Sequence, residues 1–284
     1  MPDDGRLRLA IDGRTYLIYG LLGRGDSSDV YFGRWVRRLG ELVAIKVLRC
    51  SSDRDLLERE HALLRRLHES PARGTEYFAT LIPEPIACGL VHLKQGERLV
   101  SVHRWKPGFL HSLSEVMLSY PDGVGAGVAI WTLKRLLEIL HWTHESGVVH
   151  GAVLPPHVLI HPRHHGAMLI GWSTAAGCTG SATVALPAIS RQWRDWYSSD
   201  HRASRIQDVA MAARCALQIA GAGILSQGGS LPGPVAEVVQ QAVNGQHADA
   251  WGLRDIVSAR ALDALGPPTY CPLYMPGWPE LPDE

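Results

Sequence analysis

Val43-Ala44-Ile45-Lys46-Val47-Leu48 is the stretch on which the reading of this chain turns. Aliphatic residues surround a single charge, the pattern of a strand that carries one lysine on an otherwise apolar ribbon. Upstream, Tyr16-Leu17-Ile18-Tyr19 runs into a turn containing Gly23-Arg24-Gly25, and Val30-Tyr31-Phe32 returns from it. Downstream, Ser51-Ser52-Asp53 offers caps for a helix along which Leu56, Glu60, Leu64 and Leu67 recur on one face. Leu64 and Leu67 follow Glu60 at four and seven residues, so Glu60, in preference to Glu58, shares the packing face. Ile86–Val91 and Arg98–His103 read as two more strands, and Lys106-Pro107-Gly108 breaks the pattern.

Beyond that break the apolar period lengthens to that of a helix. Val128–His144 repeats near every 3.6 residues and stops at Ser146-Gly147. Val158-Leu159-Ile160 and Met168-Leu169-Ile170 predict a hairpin, followed by a small-residue segment, Ser173–Thr183, too poor in bulk to pack tightly. Further helices are expected at Arg205–Ala220, Pro234–Val243 and Asp249–Leu265. The expected divisions are a strand-rich segment over 1–105, a helical segment over 106–265, and a Pro- and aromatic-rich tail over 266–284 that lies against the helices.

The 28 basic and 28 acidic residues cancel, so no global field recruits nucleic acid or an anionic membrane. Apolar runs are too short and interrupted to span a bilayer. Met1-Pro2-Asp3-Asp4-Gly5 is acidic and polar, unlike a secretory leader, so a cytoplasmic protein is expected. The five cysteines, Cys50, Cys88, Cys178, Cys215 and Cys271, are widely spaced and read as inert thiols. His161-Pro162-Arg163-His164-His165 reads as a solvated hairpin tip in preference to a metal cluster, and no metal ligand is assigned. Arg34, Arg37 and Arg38 with Trp35 read as a solvated basic edge in preference to a nucleic-acid patch.

The order and spacing of these motifs resemble the protein kinase family across residues 15 to 265: a glycine turn, V-A-I-K, a helix with Glu, then Val148-Val149-His150-Gly151 before an apolar hairpin. The resemblance implies an α+β, bilobal fold, with a small antiparallel-sheet lobe carrying one helix and a larger, mainly helical lobe. It makes Lys46 the residue that pairs with nucleotide phosphates and Glu60 its partner. Gly23 and Gly25 would form the turn over the phosphates. Val30 and Ala44 would cover one face of an adenine and Leu159 the other. His150 and Trp172, with Leu64, would form the apolar column of kinases, Asp208 the buried anchor of the catalytic loop, and Asp200 the acid of an eroded A-P-E motif. The pared-down motifs look bacterial by the same resemblance.

The acidic half of the motif set is missing. Where kinases carry H-R-D-L-K-P-x-N, this chain has His150-Gly151-Ala152-Val153-Leu154-Pro155-Pro156-His157, and where they carry D-F-G it has Gly171-Trp172-Ser173. Ala152 stands in place of the general base. Gly171 and His157 replace the magnesium ligands, and Leu154 replaces the lysine that steadies the transferred group. Phosphoryl transfer relies on positioning and charge neutralisation, and each lost element removes several kcal/mol of that support. His150-Gly151 matches the H-G-D of small-molecule kinases, again without its acid. Gly151 also replaces the arginine that reads activation-loop phosphorylation.

The expectation is therefore a pseudokinase, not an enzyme: a binding or scaffold module whose partner is another protein and whose ligand, if any, is ATP or ADP held without the usual metal ligands. Two alternatives stay open. One is a transferase with a rearranged site, drawing on Asp26, Glu60 or His157. The other is a structural interaction module with an empty cleft, filled in part by Trp172.

Overall fold

A computed structural model describes residues 7–38, 40–93, 96–177, 184–185, 191–197, 202–222 and 228–275 of the chain. It divides into two compact units, Met1–Ser70 with Pro83–Lys106, and Pro71–Ile82 with Pro107–Glu284.

The first unit is an antiparallel sheet of β1 (Arg8–Ile11), β2 (Arg14–Arg24), β3 (Ser28–Trp35), β4 (Leu42–Leu48), β5 (Pro85–Leu93) and β6 (Gly96–Arg104), in the order β1-β2-β3-β4-β6-β5. Strand alternation sends Val43, Ile45, Val100 and Val102 to one face, where they join Leu9, Tyr16 and Val91 in the core. The opposite face receives α1 (Arg54–His68). Its buried stripe is Leu57, Glu60, Leu63, Leu64 and Leu67. Leu56, assigned to that stripe on spacing alone, is only half-buried; Leu57 takes its place and packs with Leu48 and Leu99. Burial of a leucine contributes about 1.5–3 kcal/mol, so these contacts seat the helix firmly.

The second unit is built around α4 (Ala126–Glu145), which is buried nearly all round and so runs through the middle of its unit. It contains α2 (Thr75–Phe78), α3 (Leu113–Ser119), α5 (Arg205–Ile219), α6 (Gly233–Val243) and α7 (Ala250–Leu265). Its short strands include β7 (His111–Ser112), β8 (Val148–Val149), the hairpin β9 (Val158–His161) and β10 (Gly166–Leu169), and β11 (Ala176–Gly177), which pairs with β8. Residues 71–82, expected within the strand-rich segment, pack here instead. Trp142 of α4 donates its Nε1–H to Thr75 Oγ1 at 3.0 Å and lies beside the Phe78 ring. The start of α3 is fixed by a reciprocal capping box between Ser112 and Glu115.

The described part of the tail lies against this unit, with Leu273 buried. His165 Nε2 donates to the Cys271 carbonyl at 2.7 Å, and Tyr120 Oη donates to the Tyr274 carbonyl at 2.7 Å. The hairpin tip is therefore not simply solvated: the His165 ring is stacked between Trp131 and Tyr270. Among the described residues no group of His, Cys, Asp or Glu is placed to hold a metal ion, and no helix is long and apolar enough to cross a membrane.

Candidate functional site

Cross-strand register gathers the residues expected at a nucleotide site onto one surface of the strand unit. Gly23 of β2 is paired with Val30 of β3, Val30 with Lys46 of β4, and Lys46 with Ser101 of β6. The next row runs Phe32, Ala44, His103. Paired residues point to the same face, so Val30, Ala44 and Lys46 stand together. Lys46 Nζ donates to Glu60 Oε2 at 2.5 Å, with the glutamate side chain 3% exposed and the lysine 14%. An ion pair this enclosed holds both groups in one geometry, and truncating either partner leaves the other as an uncompensated charge.

The glycine turn differs from its expected role in one respect. The Gly25 N–H donates to the Ser28 carbonyl at 2.8 Å and closes the turn, so that amide is engaged within the protein. Gly23 and Gly25 are exposed, and neither has a positive φ. Asp26 between them and Ser28 is also exposed. The basic edge is held by rings: Arg14 and Arg38 lie over Trp35, and Arg34 over Tyr19.

In the helical unit, Leu159 is half-buried on β9, opposite Ser112 and Met168. The loop after β8 is tied down by Asp208, which is fully buried in the first turn of α5. Its carboxylate accepts the His150 and Gly151 N–H groups, both at 2.8 Å, and His144 Nε2–H at 3.0 Å. His150 is fully enclosed, and its ring meets Trp172 edge-on with centroids 4.5 Å apart. His150 Nε2–H donates to the Ile170 carbonyl, so its Nδ1 accepts from the Ala152 N–H. Burial, more than any neighbouring charge, pushes its pKa down to about 3. With both ring nitrogens engaged, this imidazole orders the loop and has no free site for proton transfer.

His157 is accounted for in the same way. Its Nδ1–H donates to the Ala152 carbonyl at 2.8 Å, and its main-chain carbonyl accepts from Ile170 N–H. The ring lies against Gly171, whose φ is +78°; a Cβ there would fall 2.6 Å from two ring carbons of His157. The imidazole thus fills the volume into which a side chain at 171 would project. Ala152 is itself buried. Asp200 lies outside the described residues.

Sequence reasoning missed three residues of this region, His61, Ser101 and His103, which hydrogen-bond in series, the last two on the same sheet face as Lys46. The available signal was the alternation of β6, which places two polar side chains where a helix-covered strand face is usually apolar.

No protein-family model and no curated protein matches the sequence. Solved structures do match it. Vaccinia related kinase 3 superposes with a TM-score of 0.65 at 16% identity, covering 95% of this chain and 94% of that one. The fold is that of a protein kinase. The BubR1 kinase domain gives 0.67 at 12% identity over 91% of this chain and 83% of its own. The kinase domain of a Toxoplasma gondii specific rhoptry antigen gives 0.61 at 16% over 91% and 87%. At these identities the likeness is one of fold, and function rests on the residues described above.

Proposed function

We propose that this chain is a kinase-fold binding module that does not transfer phosphate: it takes ATP or ADP through Lys46, Glu60, Val30 and Ala44, without magnesium ligands of its own, and acts on a partner protein. One observation carries the reading. The Lys46–Glu60 pair is formed, while the positions that would supply acid are packed shut, with His157 against Gly171 and hydrogen-bonded to Ala152. A methyl group at 152 can neither orient a hydroxyl nor accept its proton. Without carboxylates for a divalent cation, the triphosphate charge falls largely on Lys46.

Nucleotide here is a ligand that shifts a population and is not consumed. The test is a single-turnover assay of the full chain with labelled ATP, Mg²⁺ or Mn²⁺, and protein or water as acceptor. No transfer above the level of Lys46→Met is expected. Transfer or hydrolysis that Lys46→Met abolishes would overturn the proposal and favour the rearranged transferase.

A further inference from the structure

The tail is seated on the helical unit as a peptide is seated on a receptor. Its seat combines the end of α3, the start of α4 and the tip of the β9–β10 hairpin. The Tyr270 ring stacks on His165 with centroids 4.6 Å apart, and Trp131 of α4 stacks on the same imidazole at 4.8 Å. Cys271 lies against Gly127 of α4, where an added Cβ would collide with its Sγ. Leu273 is enclosed at 6% exposure. The main chain is read at two residues. His165 Nε2–H donates to the Cys271 carbonyl, while the Tyr120 hydroxyl donates to the Tyr274 carbonyl and accepts its N–H at 3.1 Å.

The hold is light for the length of chain that it orders. Pro267, Pro268, Thr269, Tyr270, Pro272 and Tyr274 are all exposed, and Leu273 alone of 267–275 is buried. Among the described residues no hydrogen bond joins the main chain of 267–275 to another main chain. Against one buried leucine and a few side-chain contacts stands the backbone freedom that the whole segment surrenders on docking. Gly266, at φ +79° after the last turn of α7, supplies a pivot for its release.

We propose that this seat is a protein-docking site with the tail as its resident ligand, and that a different protein docks there by a segment of the same chemistry. This rests on the partner-protein part of the reading above and needs no nucleotide. The seat defines the segment residue by residue. The stacked His165 ring takes an aromatic side chain, and bare Gly127 admits a small one after it. Proline follows, where the seat reads no N–H and an extended φ is needed. An aliphatic side chain then enters the position of Leu273. The next residue is read through its main chain alone, since Tyr274 is 77% exposed, and it must carry an N–H for Tyr120. Main-chain bonds that give affinity, with side-chain positions that give specificity, are the general form of extended-peptide recognition.

Occupation in cis sets the threshold for the partner. A ligand tethered by a few residues competes at an effective concentration on the order of millimolar, so weak segments in trans are excluded and a well-matched one displaces the tail. Displacement shifts a population between docked and free tails and requires no change in the seat itself.

The test uses the full chain and a fluorescently labelled synthetic peptide of residues 267–275, followed by anisotropy without nucleotide. Wild type is compared with Leu273→Asp, whose own tail can no longer enter the seat. The peptide should bind Leu273→Asp at least about tenfold more tightly than wild type. Adding Tyr120→Phe to that variant should weaken binding by about tenfold, and a peptide carrying Leu273→Asp should bind neither chain. Equal binding to both chains, no binding to Leu273→Asp, or indifference to Tyr120→Phe overturns the proposal. Should Leu273→Asp fail to fold, Tyr274→Pro, which removes the N–H accepted by Tyr120, takes its place. Light scattering separates the remaining occupant. A mass independent of concentration is expected, whereas a dimer of wild type that Leu273→Asp abolishes would give the seat to a second copy of the chain and overturn the assignment. Because no nucleotide is present, failure here leaves the Lys46→Met comparison untouched, and failure there leaves the seat untouched.

Discussion

Gly171 and His157 have become structurally dependent on one another, and the dependence is measurable. Gly171→Asp places a side chain on a left-handed backbone and into the His157 ring, so a loss of about 2–3 kcal/mol is expected. Adding His157→Asn should recover part of that loss, and thermal denaturation of the single and double variants checks the coupling. Asp208→Ala strands two loop N–H groups and His144, and a loss of at least about 3 kcal/mol is expected in denaturant unfolding. The buried imidazoles also set an acid limit. His103 and His150 are held down to about 3, whereas an unfolded histidine titrates near about 6.5. Below the higher value the unfolded chain gains protons that the fold refuses, so stability falls with pH across that window. Melting temperature should therefore drop from neutral pH towards pH ~5, and more gently in His103→Leu. The Lys46–Glu60 pair and the anchoring carboxylate of Asp208 were legible in the sequence through the resemblance to the kinase motif set, whose order and spacing mark those positions. The roles of His157 and His103 were not, since a histidine's partners depend on chain segments brought close only by folding.

Elements were read well where the period was long and badly where a local signal was short. The β4 lysine strand, α1, α4 and the β9–β10 hairpin follow directly from their apolar repeats. The first strand, β1, escaped notice because its four residues are too few to show alternation above background. The capping box of α3 was present as Ser112-Leu113-Ser114-Glu115, but its helix is only seven residues long. Residues 71–82 were assigned to the strand-rich segment by position, whereas the Trp142 contact to Thr75 decides their packing. At this scale the tail gives a clear expectation. Its hold on the helical unit runs through the His165 ring, stacked on Tyr270 and bonded to Cys271. His165→Ala should therefore speed limited proteolysis between residues 266 and 275 with little change in the global melting temperature. Unchanged cleavage would show that the Tyr120 hydrogen bonds to Tyr274 and the buried Leu273 side chain suffice to hold it.

For the molecule as a whole, the central claim is that a kinase fold has kept its nucleotide-pairing lysine and given up the means to use the nucleotide. The retained and the replaced positions lie in different units, Lys46 on β4 with Glu60 on α1 in the strand unit, and Ala152, His157 and Gly171 in the helical unit. The two can therefore be probed separately by substitution. The most direct measurement is thermal unfolding of the full chain with ATP, ADP or no ligand, in EDTA or with Mg²⁺, beside Lys46→Met. Ligand at a hundred times its dissociation constant stabilises by about 2.7 kcal/mol, which is visible as a shift in midpoint. The account predicts a shift that survives EDTA and vanishes in Lys46→Met. A shift that requires metal, or none under any condition, would contradict it.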